Sequence, residues 1–295
     1  MKALIVPPDG TDLQWQRAPL AAPDYQRLLT AVRHLESPGL AARLSNYIGM
    51  PVEKALAGLP ESWVKPVTRL TQDALGKALD AALLTLPAGK VPRPAPKFGH
   101  KLLAGLSGAV GGSFGIASLA LELPVSATLM LRAIAATAHE HGEDLDDPRV
   151  RLACLEVFAL GGSSRADDNA EIGYYAVRAF LSKTLEESAK HLVKKGLAKE
   201  GAPVLVKFLH AVAQRFSVQV SQKLAVQSLP VLGAASGATV NVIFMDHFQK
   251  TAEAHFTLRR LERRYGRERI QAAYRQVVGT PAWGDATGRR RGDGL

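Results

Sequence analysis

Apolar residues recur every three to four positions along most of this chain, the spacing of helices that bury one face. The first such run starts at Asp24-Tyr25-Gln26-Arg27-Leu28-Leu29 and lasts to His34-Leu35. Ser37-Pro38-Gly39 breaks it, and a short helix follows through Leu44 and Tyr47-Ile48. From Glu61 to Leu86, Trp63, Val67, Leu70, Ala74, Leu75, Leu79, Ala82 and Leu83 hold helical register, with Pro60 ahead of the first turn. A helix over Val125 to His141 is expected to stop at Gly142, a residue suited to a left-handed C-cap. Asp147-Pro148 combines an N-cap acid with proline at the first helical position, and opens a helix over Arg149 to Leu160. Asp168 is placed to cap a helix from Ala170 to Lys195. Pro203 to Ser228 is amphipathic, with Val206, Leu209, Val212, Ala213, Phe216 and Val220 on one face. Helices over Asp246 to Tyr265 and Arg267 to Val278 complete the pattern. No stretch alternates with period two, so the expected class is all-α, a multi-helix globular domain.

Two segments depart from the amphipathic rule. Residues 102–121 and Leu224 to Met245 carry no charge, and both are rich in small residues. Gly105, Gly108, Gly112 and Gly115 fall on one helical face; Gly233 and Gly237 repeat the spacing, with Asn241 one turn on. Glycine costs about 1 kcal/mol in an exposed helix interior, so such ridges call for close backbone packing in return. Two readings fit. In one, the ridges pack together inside a helical core. In the other, the segments contact a membrane, as a hairpin turning near Glu122 and Pro124. A carboxylate at Glu122 opposes simple spanning.

Four prolines between Pro87 and Pro96 read as a semi-rigid linker inside the main unit. The expected organisation is an N-terminal arm with short helices over 1–44, a helical domain over 45–278 and a basic, disordered tail over 279–295.

Charge narrows the partners. The formal net charge is +10. Lys194, Lys195, Arg259 and Arg260 lie in basic clusters suited to anionic lipid headgroups, at the inner-membrane surface or beside a membrane protein complex. Specific nucleic-acid binding has no motif here; aromatics make up 6% of the chain, and Glu262 and Glu268 interrupt the late arginines. Cys154 is the one cysteine, in an apolar run where it reads as a small core residue. The first nine residues lack the apolar run of a secretory signal, so a reducing, cytoplasmic setting is expected.

Candidate chemistry is thin. Gly111-Gly112-Ser113-Phe114-Gly115 matches the nucleophile-elbow pattern around Ser113, yet no strand precedes it to make the elbow. The acids from Glu140 to Asp147, with His139 and His141, suggest a metal, but histidines two apart diverge on a helix. Asp246-His247 with Glu253 and His255 is a weaker pattern of the same kind, and Gly161-Gly162-Ser163-Ser164-Arg165 reads as a turn. No Walker lysine follows a glycine cluster. Neither cofactor nor metal is assigned, and no small-molecule ligand can be named.

Several blocks, in order, resemble the EcsC family of bacterial proteins. They are Leu121-Glu122-Leu123-Pro124, Gly142-Glu143-Asp144, Asp147-Pro148-Arg149-Val150-Arg151 and Leu155 to Gly161. Leu229-Pro230-Val231-Leu232-Gly233-Ala234, Asn241 and Phe256 to Leu261 follow, and the likeness runs from about Ser45 to Tyr274. The resemblance implies a setting rather than a reaction. The family's founding member is encoded beside an ABC transporter, and the family has no agreed activity, so no catalytic residue carries over. The expectation is a non-enzymatic accessory protein, cytoplasmic or peripheral to the membrane. Its rival is an uncharacterised hydrolase using Ser113 or the Glu140 to Asp147 acids.

Overall fold

The structure is a computed structural model that describes residues 20–36, 39–85, 116–161, 173–195, 203–229 and 233–280. At 82–85, 116–118, 121, 194–195 and 233–238 it describes the backbone alone. In chain order the helices are α1 (Ala22–Glu36), α2 (Leu40–Ile48), α3 (Val52–Ala57), α4 (Val64–Thr85), α5 (Ile116–Glu140) and α6 (Pro148–Glu156). They continue with α7 (Gly173–Lys195), α8 (Pro203–Gln227), α9 (Gly233–Tyr265) and α10 (Arg267–Gly279). Single 3-10 turns at Glu61–Trp63 and Val157–Ala159 precede α4 and follow α6. Among the described residues there is no strand, and the class is all-α.

The 33 residues of α9 form the axis. It touches α1, α2, α5, α8 and α10, and keeps one side exposed through Val242, Gln249, Lys250 and Glu253. Side-chain pairing fixes the directions. His141 and Glu143, just past the end of α5, meet Glu253 and Arg259 of α9, so α5 and α9 run side by side in the same sense. Gln227 of α8 reaches Asn241, and Phe216 meets Phe248, so α8 runs the opposite way. Between them Phe158, Phe216, Phe244 and Phe248 interlock, with ring centroids 4.8 to 6.0 Å apart. All four are buried, and such aromatic contacts add to the area they remove from water. α4 lies across α5 and α8, while α1 closes over α9 and α10.

Local signals set several ends. Asp147 accepts a hydrogen bond from the Arg149 amide at 2.8 Å, with Pro148 at the first helical position. Gly142 takes the expected left-handed turn, φ +76°. Cys154 is buried, and burial pushes its thiol up to about 12, out of reach of thiolate chemistry.

Two expectations give way. Glu122 and Pro124 do not interrupt a helix or turn a hairpin; α5 runs through both. Proline frees one carbonyl four residues back. Leu119, Leu123, Ala127, Met130 and Ile134 are buried along the same face, and that packing keeps the helix straight through the fault. The last long helix starts at Gly233, not Asp246, so the second charge-free segment is divided between the end of α8 and the first turns of α9. α3 was not legible in the sequence. The linker 87–96, Asp168, residues 1–19 and the tail from 281 lie outside the described residues, as do Gly105, Gly108, Gly112, Gly115 and Ser113. Among the described residues, no helix is long and apolar enough to cross a membrane.

One backbone crossing constrains the fold tightly. Gly39, between α1 and α2, lies against Gly161, after the second 3-10 turn, and both sit over His247 and Thr251 of α9. A Cβ at Gly39 would fall 2.3 Å from the Gly161 carbonyl oxygen, inside any tolerable contact. Gly39→Ala therefore forces two backbone segments apart, and urea unfolding is expected to show a loss of about 1–3 kcal/mol. An unchanged midpoint would mean that the crossing is slack.

Candidate functional site

The most concentrated group of titratable side chains is not on the surface but beneath α9. His247, Thr251 and His255 fall on its inner side one turn apart, with Glu262 two turns further on, among Phe244, Phe248, Leu258 and Leu261. A buried polar group is costly unless it is paired. The neighbouring helices supply partners for Thr251, His255 and Glu262, but not for His247.

α7 delivers Tyr174, Tyr175 and Arg178 from its first two turns. The Arg178 guanidinium grips Glu262 with both nitrogens, at 2.7 and 3.0 Å, and Tyr175 donates to the same carboxylate at 3.0 Å. Arg178 also donates to the Tyr174 hydroxyl at 3.2 Å. The Tyr174 hydroxyl also pairs with His255 Nδ1, 3.0 Å away. His255 titrates well below its ordinary range, through burial first and then the charges of Arg178 and Arg259. Tyr274 of α10 stacks on Tyr174, centroids 5.7 Å apart, and donates to Glu36 of α1 at 2.6 Å. Glu156 completes the group from the end of α6. Burial pushes its carboxyl up to about 7; Arg178 and Arg259 pull it down, and Glu262 pushes it further up.

A second group sits at the end of α5. Arg259 holds Glu143 with two bonds, 2.8 and 3.0 Å, and Arg263 joins from the next turn while also donating to the His141 carbonyl at 2.7 Å. Burial alone would raise Glu143; the two arginines outweigh it and hold the carboxyl below its usual range. A third group lies under the glycine crossing. His34 meets the Thr251 hydroxyl at 3.2 Å, while His247 is enclosed with neither ring nitrogen bonded. Burial, then the neighbouring His34 and Arg43, brings His247 down to about 3.

The residues singled out in the sequence separate. Glu122 is not a membrane-facing turn; it forms an ion pair with Lys223 of α8, which is 2% exposed and lies over the Phe244 ring. Asn241 accepts from Gln227 at 3.4 Å, and Pro124 lies within α5. Gly233 and Gly237 form the start of α9, but their surroundings lie outside the described residues. Arg259 does not face lipid. Its charge turns inward to the buried Glu143, which it shares with Arg263. Arg260 is half-buried, near enough to Glu253 to help His141 hold that carboxyl low. Lys194 and Lys195 end α7, with side chains outside the described residues.

The acid run from Glu140 to Asp147 does not assemble a centre either. Asp144 accepts from the Asp146 amide at 2.9 Å, Asp147 caps α6, Glu143 is held by arginines and His141 pairs with Glu253 at 3.0 Å. Among the described residues, no three His, Cys, Asp or Glu side chains are grouped to hold a metal. A shallow groove of about 280 Å³ runs between α5 and α9, lined by Ala133, Thr137, Glu140, Asp246, Lys250 and Glu253 among others. Two of its acids are engaged, Asp246 with Arg43 and with Lys250 at 2.9 Å, and Glu253 with His141. Tyr174, His255 and Glu156 could exchange protons, yet each is at most 3% exposed and a substrate cannot reach them. The arrangement positions helices.

The sequence carried a signal for this interior. Tyr174-Tyr175 with Arg178 one turn on, and His247, Thr251 and His255 at four-residue intervals, place polar groups on faces that apolar neighbours mark as buried.

The sequence model of the EcsC protein family matches residues 94–261, more than half of the chain. No curated protein and no solved structure matches it.

Two measurements check this reading. Folded Glu156 keeps its proton to about pH 7, whereas the unfolded side chain releases it near 4.5. Between those values the folded state binds more protons, so this carboxyl weakens the fold as pH rises and its full penalty stands above 7. Glu156→Gln should stabilise the protein by on the order of 1–3 kcal/mol at about pH 8 and little at about pH 5, read by urea unfolding at both. His247 and His255 act in the opposite sense, losing stability as pH falls below 6.5, so the variant-minus-parent difference isolates Glu156. Arg259→Ala should cost about 2–3 kcal/mol, less than a wholly buried pair because Arg263 still serves Glu143. A surface role for Arg259 would predict no change.

Proposed function

The chain belongs to the EcsC protein family, and from that premise we propose that it is a non-catalytic accessory protein, docked peripherally on the cytoplasmic face of a membrane beside an envelope or transport complex. The observation that carries this reading is a surplus of positive charge on a body whose described helices are unsuited to crossing a bilayer. The net charge is +10, and in the described interior Asp24, Glu143 and Glu262 are each matched by arginine. Among the described residues, cations such as Lys207, Arg264 and Arg267 stay exposed, where anionic headgroups attract them at roughly 1 kcal/mol per residue. Non-catalytic assignment draws support from the interior itself, since Tyr174, Tyr175, Arg178 and Glu262 are spent on one another and the unbonded His247 is enclosed. The hydrolase reading rests on Ser113 and on acids that serve as caps and ion-pair partners, so it ranks second.

Cell fractionation tests the proposal. Membranes should retain the protein at low ionic strength, and high salt should release it without detergent, because surface attraction is screened within a Debye length. Retention through an alkaline wash would replace docking with insertion. Recovery wholly in the soluble fraction, or labelling of wild type but not Ser113→Ala by a fluorophosphonate probe, would overturn the proposal.

A further inference from the structure

The junction between α9 and α10 gathers three guanidinium groups, more than the one buried carboxylate there needs. α9 ends at Tyr265, and Gly266 breaks the helix with φ +89° and ψ +142°, a backbone state open to glycine and strained for other residues. The break brings Arg264 and Arg269 to the same ring. Their guanidinium carbons lie 5.4 and 5.5 Å from the Tyr265 centroid. The Tyr265 hydroxyl donates to Asp24 of α1 at 2.8 Å. Asp24 is buried, and Arg264 at 3.0 Å and Arg27 at 2.7 Å share its carboxylate. The bond from Tyr265, together with the two arginines, holds that carboxyl below its usual range against the penalty of burial.

Two arginines thus share one carboxylate, and a third, Arg269, joins Arg264 on the ring that bonds to it. The Arg27 side chain is 52% exposed and that of Arg264 64%, so both carry donors into solvent beyond those that Asp24 uses. Glu268 and Arg267, both exposed, flank the corner and offset one another. The corner keeps a net positive charge on side chains already held in place by an aromatic ring and a buried acid, which lowers the entropy lost on binding.

We infer that this corner, formed by Arg27, Arg264 and Arg269 around Tyr265, is the surface that meets anionic phospholipid headgroups. The inference rests on the peripheral-docking reading above. It commits to lipid phosphate because guanidinium forks match phosphate oxygens and a bilayer offers them as a plane. Nucleic acid is disfavoured, because the one aromatic ring in the corner is overlain by guanidiniums and its hydroxyl is engaged, leaving no bare face for a base.

The test is flotation of the full chain with vesicles of mixed phosphatidylglycerol and phosphatidylcholine, against vesicles of phosphatidylcholine alone. Wild type should bind only the anionic vesicles. The double variant Arg27→Gln, Arg269→Gln leaves Arg264 and Tyr265 on Asp24, and should bind roughly ten-fold or more weakly. Lys183→Gln, Lys190→Gln removes the same charge from exposed positions on α7 and should bind like wild type. Equal loss in both variants, or loss in the lysine variant alone, overturns this surface while leaving peripheral docking intact. Failure of wild type to bind anionic vesicles overturns both. Should the double variant melt early, Arg269→Gln alone gives the comparison, and normal binding by it overturns the inference. A single-stranded oligonucleotide that binds wild type and loses affinity in the arginine variant would reassign the corner to nucleic acid.

Discussion

An ion inside a helical core must meet its counter-ion as the core closes, and α9 is where this protein meets that condition. The helix is flanked by five others and still carries histidines, arginines and glutamates on its inner turns. Its ion pairs reach different elements, Glu262 with α7 and Arg259 with the turn after α5, and beside it Glu122 of α5 pairs with Lys223 of α8. Such pairs add little net stability, because desolvation offsets their attraction. They are selective instead. A shift of α7 along α9 by one turn would leave Arg178 and Glu262 both buried and unpaired, which costs far more than an apolar mismatch. The bundle is therefore specified in register by charge and held in density by the phenylalanines beside it.

That division also explains why the interior holds the groups of acid–base chemistry turned toward one another. A tyrosine bonded to a neutral histidine beside a protonatable glutamate has the elements of acid–base catalysis. Catalysis needs those elements to face a reacting atom, and here they face other side chains. The perturbed titration of Glu156 and His255 comes from enclosure, which shifts a structural group as readily as a functional one.

Much of the fold was legible in the chain, because helix ends are local. Asp147-Pro148 and Gly142 fixed their termini through contacts within a few residues, and the extent of α8 followed from its apolar spacing. What escaped was set at long range. Pro124 reads as a break until α4 and α9 pack against both sides of it. Arg259 reads as surface in a run of arginines, because nothing near it in sequence announces Glu143, 116 positions away. The candidate site suffered most, since pairing between distant helices has no period to detect. The glycine ridge from Gly105 to Gly115 lies outside the described residues, and the close packing expected of it stays a reading of sequence.

The length of α9 has a geometric consequence for any membrane encounter. From Gly237 to Arg264 the helix rises roughly 40 Å at 1.5 Å per residue, more than the roughly 30 Å hydrocarbon thickness of a bilayer. The small-residue start and the cationic end are therefore opposite poles of one rod. Standing upright on its guanidinium pole, the molecule holds its glycine pole well clear of acyl chains, at the height where a neighbouring protein subunit could clasp it; only a recumbent pose brings both poles to lipid together.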